Sequence, residues 1–272
     1  PAKLISGELK ATLAPECRVT GQIVCVELAK RGEVMGWTNV YVMRDGGRFA
    51  SCDSSAGKFE LILPPGKFTL NAYGENVRSK NIDFTVPEGR SEHALDPIAI
   101  PATGLALLKG QPAPELEEVR GWWGKPVKLA DLKGKYVLLE FWGYWCGPCI
   151  GSMPVLIELH EKYADKGIAV VGVHMDGGGE VDTAEKLDAK IAGYQKDVWK
   201  GKAMPFPNAL VSGKRVGEGD DARPGGTIAR YGIQSYPTCV LIDPEGKAVG
   251  EFHARDIKAA SAEIEKLLAG KK

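Results

Sequence analysis

The sequence has no excess of charge of either sign: Lys and Arg together number 35, as do Asp and Glu, and the formal net charge at pH 7 is zero. A balanced chain has no long-range field that would gather nucleic acid or an anionic membrane surface. It also lacks an apolar run near the roughly 20 residues that cross a bilayer, since the stretch YVLLEFWGYW at 136–145 is interrupted by Glu140. We therefore expect no nucleic-acid partner and no membrane span in this chain.

Cysteine is too scarce for a scaffold stapled by disulfides, with six in 272 residues. Three of them lie in the first fifth of the chain: Cys17, Cys25 and Cys52. These could include one disulfide and one free thiol, or they could be buried free thiols, because a free cysteine packs as a small apolar residue. Cys239 lies in an apolar stretch, and we expect it in the core. Only Cys146 and Cys149 have a diagnostic spacing.

Ligands for a metal site are also few. A structural zinc site needs two more cysteines or histidines beside a Cys-x-x-Cys pair, usually as a second close pair. The four histidines are instead scattered along the chain: His93, His160, His174 and His253. His174 and Met175 precede Asp176, but the sequence places no further soft ligand for copper near them. We expect no metal site.

Two regions with different periodicity divide the chain. Residues from about 16 to 100 alternate between apolar and polar positions, and the runs DGG at 45–47 and LPPG at 63–66 supply turn residues. We expect residues 1–100 to form an all-β sandwich. The run from about 98 to 115 is rich in Pro, Ala and Gly, and we predict a linker at 101–112.

After the linker, buried strands alternate with helical patterns, which predicts an α/β domain at 113–272. KYVLLEFW at 135–142 and GIAVVGVHM at 167–175 have the continuous apolar character of buried strands. We predict helices at about 149–165 and 181–198, and a last helix with Ile257, Ala260, Ile264 and Leu267 on one face. The Gly-rich and charged stretch 212–226 is predicted to be an exposed loop.

The close cysteine pair lies where a buried strand runs into a helix. This places Cys146 at the helix N-terminus and Cys149 one turn further, on the same side, so the two sulfurs can bond to each other. The N-terminal N–H groups and the dipole favour an anion, so we expect Cys146 to be the nucleophile and Cys149 the resolving thiol. A purely structural disulfide closing so short a loop would gain little from chain entropy.

Three neighbours of the pair have two interpretations each. Glu140, six residues before Cys146, either is buried with a raised pKa and shuttles a proton to and from Cys149, or lies at a strand edge with its carboxylate in water. Tyr144 and Trp145 either pack in the core or form an exposed surface that docks a substrate peptide.

The run WCGPC at 145–149 resembles the redox motif of the thioredoxin family, which implies a thioredoxin fold. Pro154 stands where thioredoxins kink the active-site helix, and Glu140 where they keep a buried acid. SYPTC at 235–239 resembles the family's cis-proline loop, so Pro237 is the implied cis-proline and fourth catalytic residue. The resemblance further implies a substrate-binding surface, which comprises Trp145, Gly147, Pro148 and Tyr236.

The stretches GQPAPELEEV at 110–119 and KLADLKGKYVLLEFWGYWC at 128–146 resemble the TlpA/ResA-like, AhpC/TSA-related branch of this family. That branch implies an extracytoplasmic, periplasmic-type location, and many of its members are reductases. Two features depart from it: Ser152 stands where some ResA-like reductases have a glutamate, and the stretch 177–226 is longer than a thioredoxin core requires. The region through 53–74 resembles carboxypeptidase-regulatory-like or transthyretin-like sandwich modules, which act as spacers or interaction surfaces.

The leading hypothesis is a thiol–disulfide oxidoreductase, more a reductase than an oxidant, whose partners are protein thiols or disulfides and an unidentified electron donor. It needs no cofactor beyond the Cys146–Cys149 pair. One alternative is a thiol peroxidase of the AhpC/TSA-related group. Peroxidases of that group share a P-x-x-x-T-x-x-C pattern, and Gly143 stands here at the position of its Thr, three residues before Cys146. Another is a β-sandwich binding module with a vestigial redox domain. The chain begins at Pro1 without a leader, which fits a removed targeting peptide or a trimmed chain.

Overall fold

The computed structural model describes residues 16–176, 180–213, 215–216 and 223–270. The chain divides into two compact units, Pro1–Leu107 and Leu108–Lys272. The boundary falls within the segment predicted as a linker, which also contains a short helix.

The described residues of the first unit form two β-sheets. Its helices and strands follow in the order β1 (Cys17–Val24), α1 (Val26–Lys30), β2 (Thr38–Arg44), β3 (Gly47–Ser54), β4 (Lys58–Leu63), β5 (Gly66–Gly74), β6 (Val77–Val86), β7 (Glu92–Ala94), β8 (Ile98–Ala99) and α2 (Gly104–Leu108). One sheet has the strand order β4-β1-β7, with β8 also paired to β1, and the other has the order β3-β2-β5-β6.

The inner faces of these two sheets share one apolar core. Side chains alternate along β4 between exposed and buried, because successive residues of a strand point to opposite faces. Val19 and Leu61 from the first sheet lie in the same buried cluster as Val40 and Leu70 from the second. The predicted all-β sandwich is confirmed.

The hairpin between β2 and β3 shows how its sequence fixes its geometry. Asp45 and Gly46 connect the strands with φ angles of 52° and 77°. Positive φ at both positions suits the two-residue turn whose twist matches that of paired strands, and Asp-Gly is a preferred pair for it.

The cysteines of the first unit are free thiols. Cys17 and Cys25 are buried and Cys52 is partly buried, with no disulfide among them. The alternative of a disulfide within this group is therefore wrong. Cys239 in the second unit is buried in the core, as predicted.

The second unit is built around a six-stranded sheet with the order β16-β15-β10-β11-β12-β9. Its elements are β9 (Val119–Trp123), β10 (Tyr136–Trp142), α3 (Gly147–Tyr163), β11 (Ile168–Asp176), α4 (Ala184–Asp197), β12 (Asn208–Ser212), β13 (Arg215–Val216), β14 (Arg223–Pro224), α5 (Gly226–Tyr231), β15 (Thr238–Ile242), β16 (Ala248–Phe252) and α6 (Ile257–Ala269), with 3-10 turns at Leu129–Leu132 and Ala164–Lys166. Strands β10, β11 and β12 are parallel, and β15 and β16 form an antiparallel pair beside β10. This is a thioredoxin fold.

The predicted helices differ from the observed ones mainly at their starts. α3 begins at Gly147, two residues before the predicted start, with Cys146 as its N-cap. α4 begins after Thr183, whose side chain accepts a hydrogen bond from the Lys186 N–H, because a threonine at this position caps the unpaired amides. The last helix has Ala260 and Ile264 buried, as its apolar spacing predicted.

The predicted exposed loop at 212–226 is described only in part. Within it, β13 and β14 pair as a short antiparallel ribbon. Positions 214 and 217–222 lie outside the described residues, as do positions 177–179 of the longer stretch 177–226.

Candidate active site

Cys146 and Cys149 form a disulfide at the N-terminus of α3. The Cys146 Sγ accepts a hydrogen bond from the Cys149 N–H at 3.3 Å, so this sulfur lies against the free amides of the helix start. Cys146 is 7% exposed, whereas Cys149 is completely buried. Because the amides and the dipole of a helix N-terminus favour a thiolate, the arrangement suits Cys146 to attack from outside and Cys149 to attack from within.

A hydrogen-bonded turn leads from β10 into the pair. The carbonyl of Gly143 accepts the Cys146 N–H at 3.0 Å. A Cβ at position 143 would lie 2.6 Å from the indole of Trp145, so only glycine fits without displacing that ring. Trp145 is 46% exposed, which excludes core packing for it, and Tyr144 is partly buried.

Glu140 is 1% exposed and lies in the middle of β10, between β11 and β15. Its Oε2 is buried with no hydrogen-bond partner among the described residues. Burial raises the pKa of Glu140 to about 8, and the opposing effects of the Cys239 thiol and the Arg255 charge only partly offset it. The alternative of a carboxylate in water at a strand edge is therefore wrong.

A narrow cavity of about 10 Å³ adjoins Glu140, which is space for about one water molecule. Ser152 of α3, Pro237 and Cys239 also line it. Cys239 lies directly opposite Glu140 in the β10–β15 pairing. Ser152 donates its hydroxyl to the carbonyl of Cys149 at 3.0 Å, so the buried acid and the residue one turn after the redox pair share this cavity.

The loop before β15 packs against Trp145, the residue that precedes Cys146. The peptide bond between Tyr236 and Pro237 is cis, as predicted. The ring of Tyr236 packs edge-on against Trp145, with centroids 5.4 Å apart. Burial raises the pKa of the Tyr236 hydroxyl to about 12. Gly147 and Pro148 are exposed, so the predicted substrate-binding residues other than Tyr236 face solvent.

The sequence did not reveal two residues that support the site. α3 contains Pro154, which has no N–H to donate to the carbonyl of Ile150. The indole N–H of Trp199 donates to that carbonyl instead, at 2.9 Å, in a buried position. The proline signals that a donor is needed, but nothing in the sequence indicates which residue supplies it.

The second is His174, at the end of β11. Its Nε2 accepts the backbone N–H of Tyr144 at 3.3 Å. The sequence analysis considered His174 only as a copper ligand, and it expected no metal site there. Within the described ranges, no three His, Cys, Asp or Glu side chains come together in a way that could hold a metal ion. No helix in the described part of the chain is both long and apolar enough to span a membrane.

Comparison with known proteins adds a consistent set of relatives. The AhpC/TSA family model matches residues 109–210. The chain is 35% identical over 135 residues to the thiol-disulfide oxidoreductase ResA of Bacillus thuringiensis (strain Al Hakam), a match that covers 50% of this chain and 64% of that protein. It is 33% identical over 142 residues to the thioredoxin-like protein YneN of Bacillus subtilis (strain 168), with 52% of this chain and 69% of YneN covered.

Among solved structures, the thioredoxin domain of a thiol-disulfide oxidoreductase from Bacteroides vulgatus is 26% identical and aligns with a TM-score of 0.43. That alignment covers 59% of this chain and 97% of the domain. The match to ResA spans slightly less than two thirds of that protein's length.

Proposed function

Because the chain belongs to the TlpA/ResA-like branch of the thioredoxin-like family, we propose that it is a thiol–disulfide oxidoreductase that acts on protein disulfides through Cys146 and Cys149. The observation that carries the proposal is the disulfide at the N-terminus of α3, with the more accessible sulfur against the free amides of the helix.

The reaction follows from that geometry. In the reduced protein, the Cys146 thiolate attacks one sulfur of a substrate disulfide, so that a mixed disulfide forms and one substrate thiolate leaves. Cys149 then attacks the Cys146 sulfur, the mixed disulfide breaks and the second substrate thiolate leaves. The substrate has gained two electrons, and the departing thiolates take up two protons. The Cys146–Cys149 disulfide has formed in its place.

Glu140 is proposed to shuttle a proton to and from Cys149, and the fraction of it that is ionised near neutral pH accepts the proton in the second step. Cys149 is completely buried, so its thiol cannot pass a proton directly to bulk water. The cavity shared by Glu140 and Ser152, which is one turn after Cys149, has space for about one water molecule. A carboxyl whose pKa is raised to about 8 is suited to exchange a proton near neutral pH.

The substrate surface is proposed to comprise Trp145, Gly147, Pro148 and Tyr236, with Pro237 beside the disulfide. Three of these are exposed around Cys146, and Tyr236 packs against Trp145. A protein substrate would therefore reach Cys146 across a surface made by the loop before α3 and the loop before β15.

Trapping of the mixed disulfide tests this proposal. The Cys149→Ser variant, incubated reduced with a peptide that contains one intramolecular disulfide, is expected to carry the whole peptide, with its second thiol free, as a covalent adduct in the mass spectrum. Cys146→Ser is expected to retain none, because Cys149 is buried. Cys239→Ser serves as the matched control and is expected to turn over without an adduct. An adduct that persists in Cys146→Ser would contradict the assignment of the nucleophile.

The direction of electron flow is proposed to be reductive, since the Gly147-Pro148 dipeptide resembles that of reducing thioredoxins. A separate dithiol reductant would then return two electrons to the Cys146–Cys149 disulfide. Equilibration with glutathione buffers measures the potential. A reduction potential of about −270 mV supports a reductase, whereas one of about −120 mV would make the protein a disulfide donor.

A thiol peroxidase is the competing function that the AhpC/TSA family match favours. The two differ in their oxidant: a peroxidase consumes hydrogen peroxide at a rate that depends on Cys146, whereas an oxidoreductase of protein disulfides does not. Peroxide consumption by the wild-type chain that Cys146→Ser abolishes would replace the proposal.

The location is proposed to be extracytoplasmic, on the ground of the family resemblance. An immunoblot of cell fractions with antibody against this chain tests it, and detection in the cytosol alone would overturn it. The β-sandwich unit is proposed to be a spacer or an interaction surface, as its resemblance to carboxypeptidase-regulatory-like modules implies.

A further inference from the structure

The carboxyl end of β11 holds the turn that leads into the redox pair. His174 accepts the backbone N–H of Tyr144 through Nε2, at 3.3 Å. The two rings are stacked, with centroids 5.7 Å apart and planes 11° apart. The next residue, Met175, accepts the indole N–H of Trp145 at its carbonyl, at 3.1 Å. Two consecutive residues of β11 therefore hold two consecutive residues of the turn.

The protonation state of His174 follows from these contacts. The imidazole is completely buried, and burial lowers its pKa to about 4 even though the Asp176 charge opposes the shift. A neutral imidazole has one donor and one acceptor nitrogen. Because Nε2 accepts the Tyr144 N–H, the proton is on Nδ1.

That tautomer carries a cost. Nδ1 is buried without a hydrogen-bond partner among the described residues, and an unpaired buried donor destabilises a protein. An apolar ring of similar size would pack against Tyr144 without that cost. The histidine therefore contributes something that packing alone does not require, and the contact that only it can make is the one through Nε2.

We propose that His174 is a positioning residue for the redox pair: by accepting the Tyr144 N–H, it fixes the turn that places the Cys146 sulfur against the N-terminus of α3. The inference rests on the proposed thiol–disulfide activity and deepens it, because it names a residue outside the motif that sets the environment of the thiolate.

The chain of contacts is short. Tyr144 and Trp145 are the two central residues of the turn closed by the Gly143 carbonyl and the Cys146 N–H. If Tyr144 loses its acceptor, β11 holds the turn only through the indole of Trp145. The Cys146 sulfur then moves relative to the Cys149 N–H, and the helix N-terminus stabilises the thiolate less. A less stable thiolate raises the pKa of Cys146 and favours the disulfide over the dithiol.

Three variants of the full chain separate the hydrogen bond from the packing. His174→Phe keeps the ring but has no acceptor. His174→Gln can place an amide oxygen near the position of Nε2, whereas the shorter side chain of His174→Asn reaches only near the position of Nδ1. Ultraviolet absorbance of the reduced proteins titrates the Cys146 thiolate, and equilibration with glutathione measures the disulfide–dithiol ratio. Hydrogen exchange at the Tyr144 amide reports the contact directly.

We expect His174→Phe and His174→Asn to raise the pKa of Cys146, to shift the glutathione equilibrium about two- to fivefold toward the disulfide, and to lose protection at the Tyr144 amide. His174→Gln should match the wild type in all three measurements. If His174→Phe does not fold, as circular dichroism would show, the comparison of Gln with Asn decides, since those variants differ only in reach.

The positioning role is refuted if His174→Phe titrates and equilibrates like the wild type, or if His174→Gln is impaired as strongly as His174→Asn. Failure of the proposed function is a different result: the wild-type chain would not reduce a disulfide peptide at all. A wild-type chain that does so, beside an unchanged His174→Phe, refutes only the positioning role.

Discussion

Replacing Glu140 by glutamine should make the stability of the second unit less dependent on pH. The carboxyl is buried in the central strand β10, with Oε2 unpaired among the described residues. Its pKa is raised from 4.5 to about 8, mainly because burial disfavours the charged form. Glutamine has nearly the same shape and carries no charge at any pH, so the variant removes the ionisation and leaves the volume.

The magnitude follows from the two pKa values. Below pH 4.5 the carboxyl is protonated in both the folded and the unfolded chain. Between pH 4.5 and about 8 the folded protein keeps a proton that the unfolded chain has released, so stability falls as the pH rises. The slope is about 1.4 kcal/mol per pH unit, which amounts to about 5 kcal/mol over this window. Above about pH 8 the loss is complete.

Urea unfolding at a series of pH values between 4 and 9 measures this effect, with the disulfide kept oxidised. Tryptophan fluorescence reports mainly the second unit, which contains five of the six tryptophans. The free energy of unfolding of Glu140→Gln minus that of the wild type should increase by about 5 kcal/mol from pH 4.5 to 8. A constant offset from burying an amide does not affect this difference.

The matched control is Glu158→Gln, which makes the same chemical change at an exposed position of α3. This variant therefore reports the effect of the chemical change without burial. The reasoning about Glu140 fails if the two variants show the same pH dependence, because Glu140 would then ionise as an ordinary exposed carboxyl does.

Two further predictions concern packing around the site. Trp199→Phe removes the hydrogen-bond donor to the Ile150 carbonyl and should lower the free energy of unfolding by about 1–3 kcal/mol. The control Trp123→Phe removes an exposed hydrogen bond to Asp188 and should lower that free energy less. Equal urea midpoints for the two variants would contradict the role of Trp199. Gly172→Ala places a Cβ against the Asn208 amide oxygen and should lower stability by about 1–3 kcal/mol. At Gly151, within α3, a Cβ would meet nothing within 4 Å. Gly151→Ala should therefore raise the stability by about 0.5–1 kcal/mol, because alanine loses less conformational freedom than glycine in a helix. A higher melting temperature for Gly172→Ala than for Gly151→Ala would refute this.

The features that the sequence predicted are those with a local cause. A continuous apolar run makes β10 a buried strand, and a buried strand that enters a helix places Cys146 at the helix start. The burial of Glu140 follows from its apolar neighbours in the same strand. Pro237 could be named before its geometry was seen only because SYPTC resembles the cis-proline loop of the thioredoxin family, since proline chemistry permits a cis bond without indicating which proline adopts it.

The features that the sequence did not predict depend on contacts between distant segments. His174 meets Tyr144 across 30 positions of the chain, and its role depends on which nitrogen faces the turn. The pairing of β10 with β15 brings Cys239 opposite Glu140, which no spacing in the sequence indicates. The free thiols of the first unit also could not be assigned, because composition does not distinguish a buried thiol from a disulfide.

The stretch 177–226, which contains Trp199, contributes directly to the active-site helix. Proline in the interior of a helix removes one hydrogen bond and leaves a carbonyl without a donor. In α3 this carbonyl belongs to Ile150, the residue immediately after Cys149, and it is buried, so water cannot satisfy it without entering the core. Trp199, just after α4, donates to it. The proline and the tryptophan are therefore a pair: shortening the stretch to remove Trp199 would leave the Ile150 carbonyl without its donor. Replacing Pro154 by alanine would instead make the hydrogen bond from the tryptophan redundant.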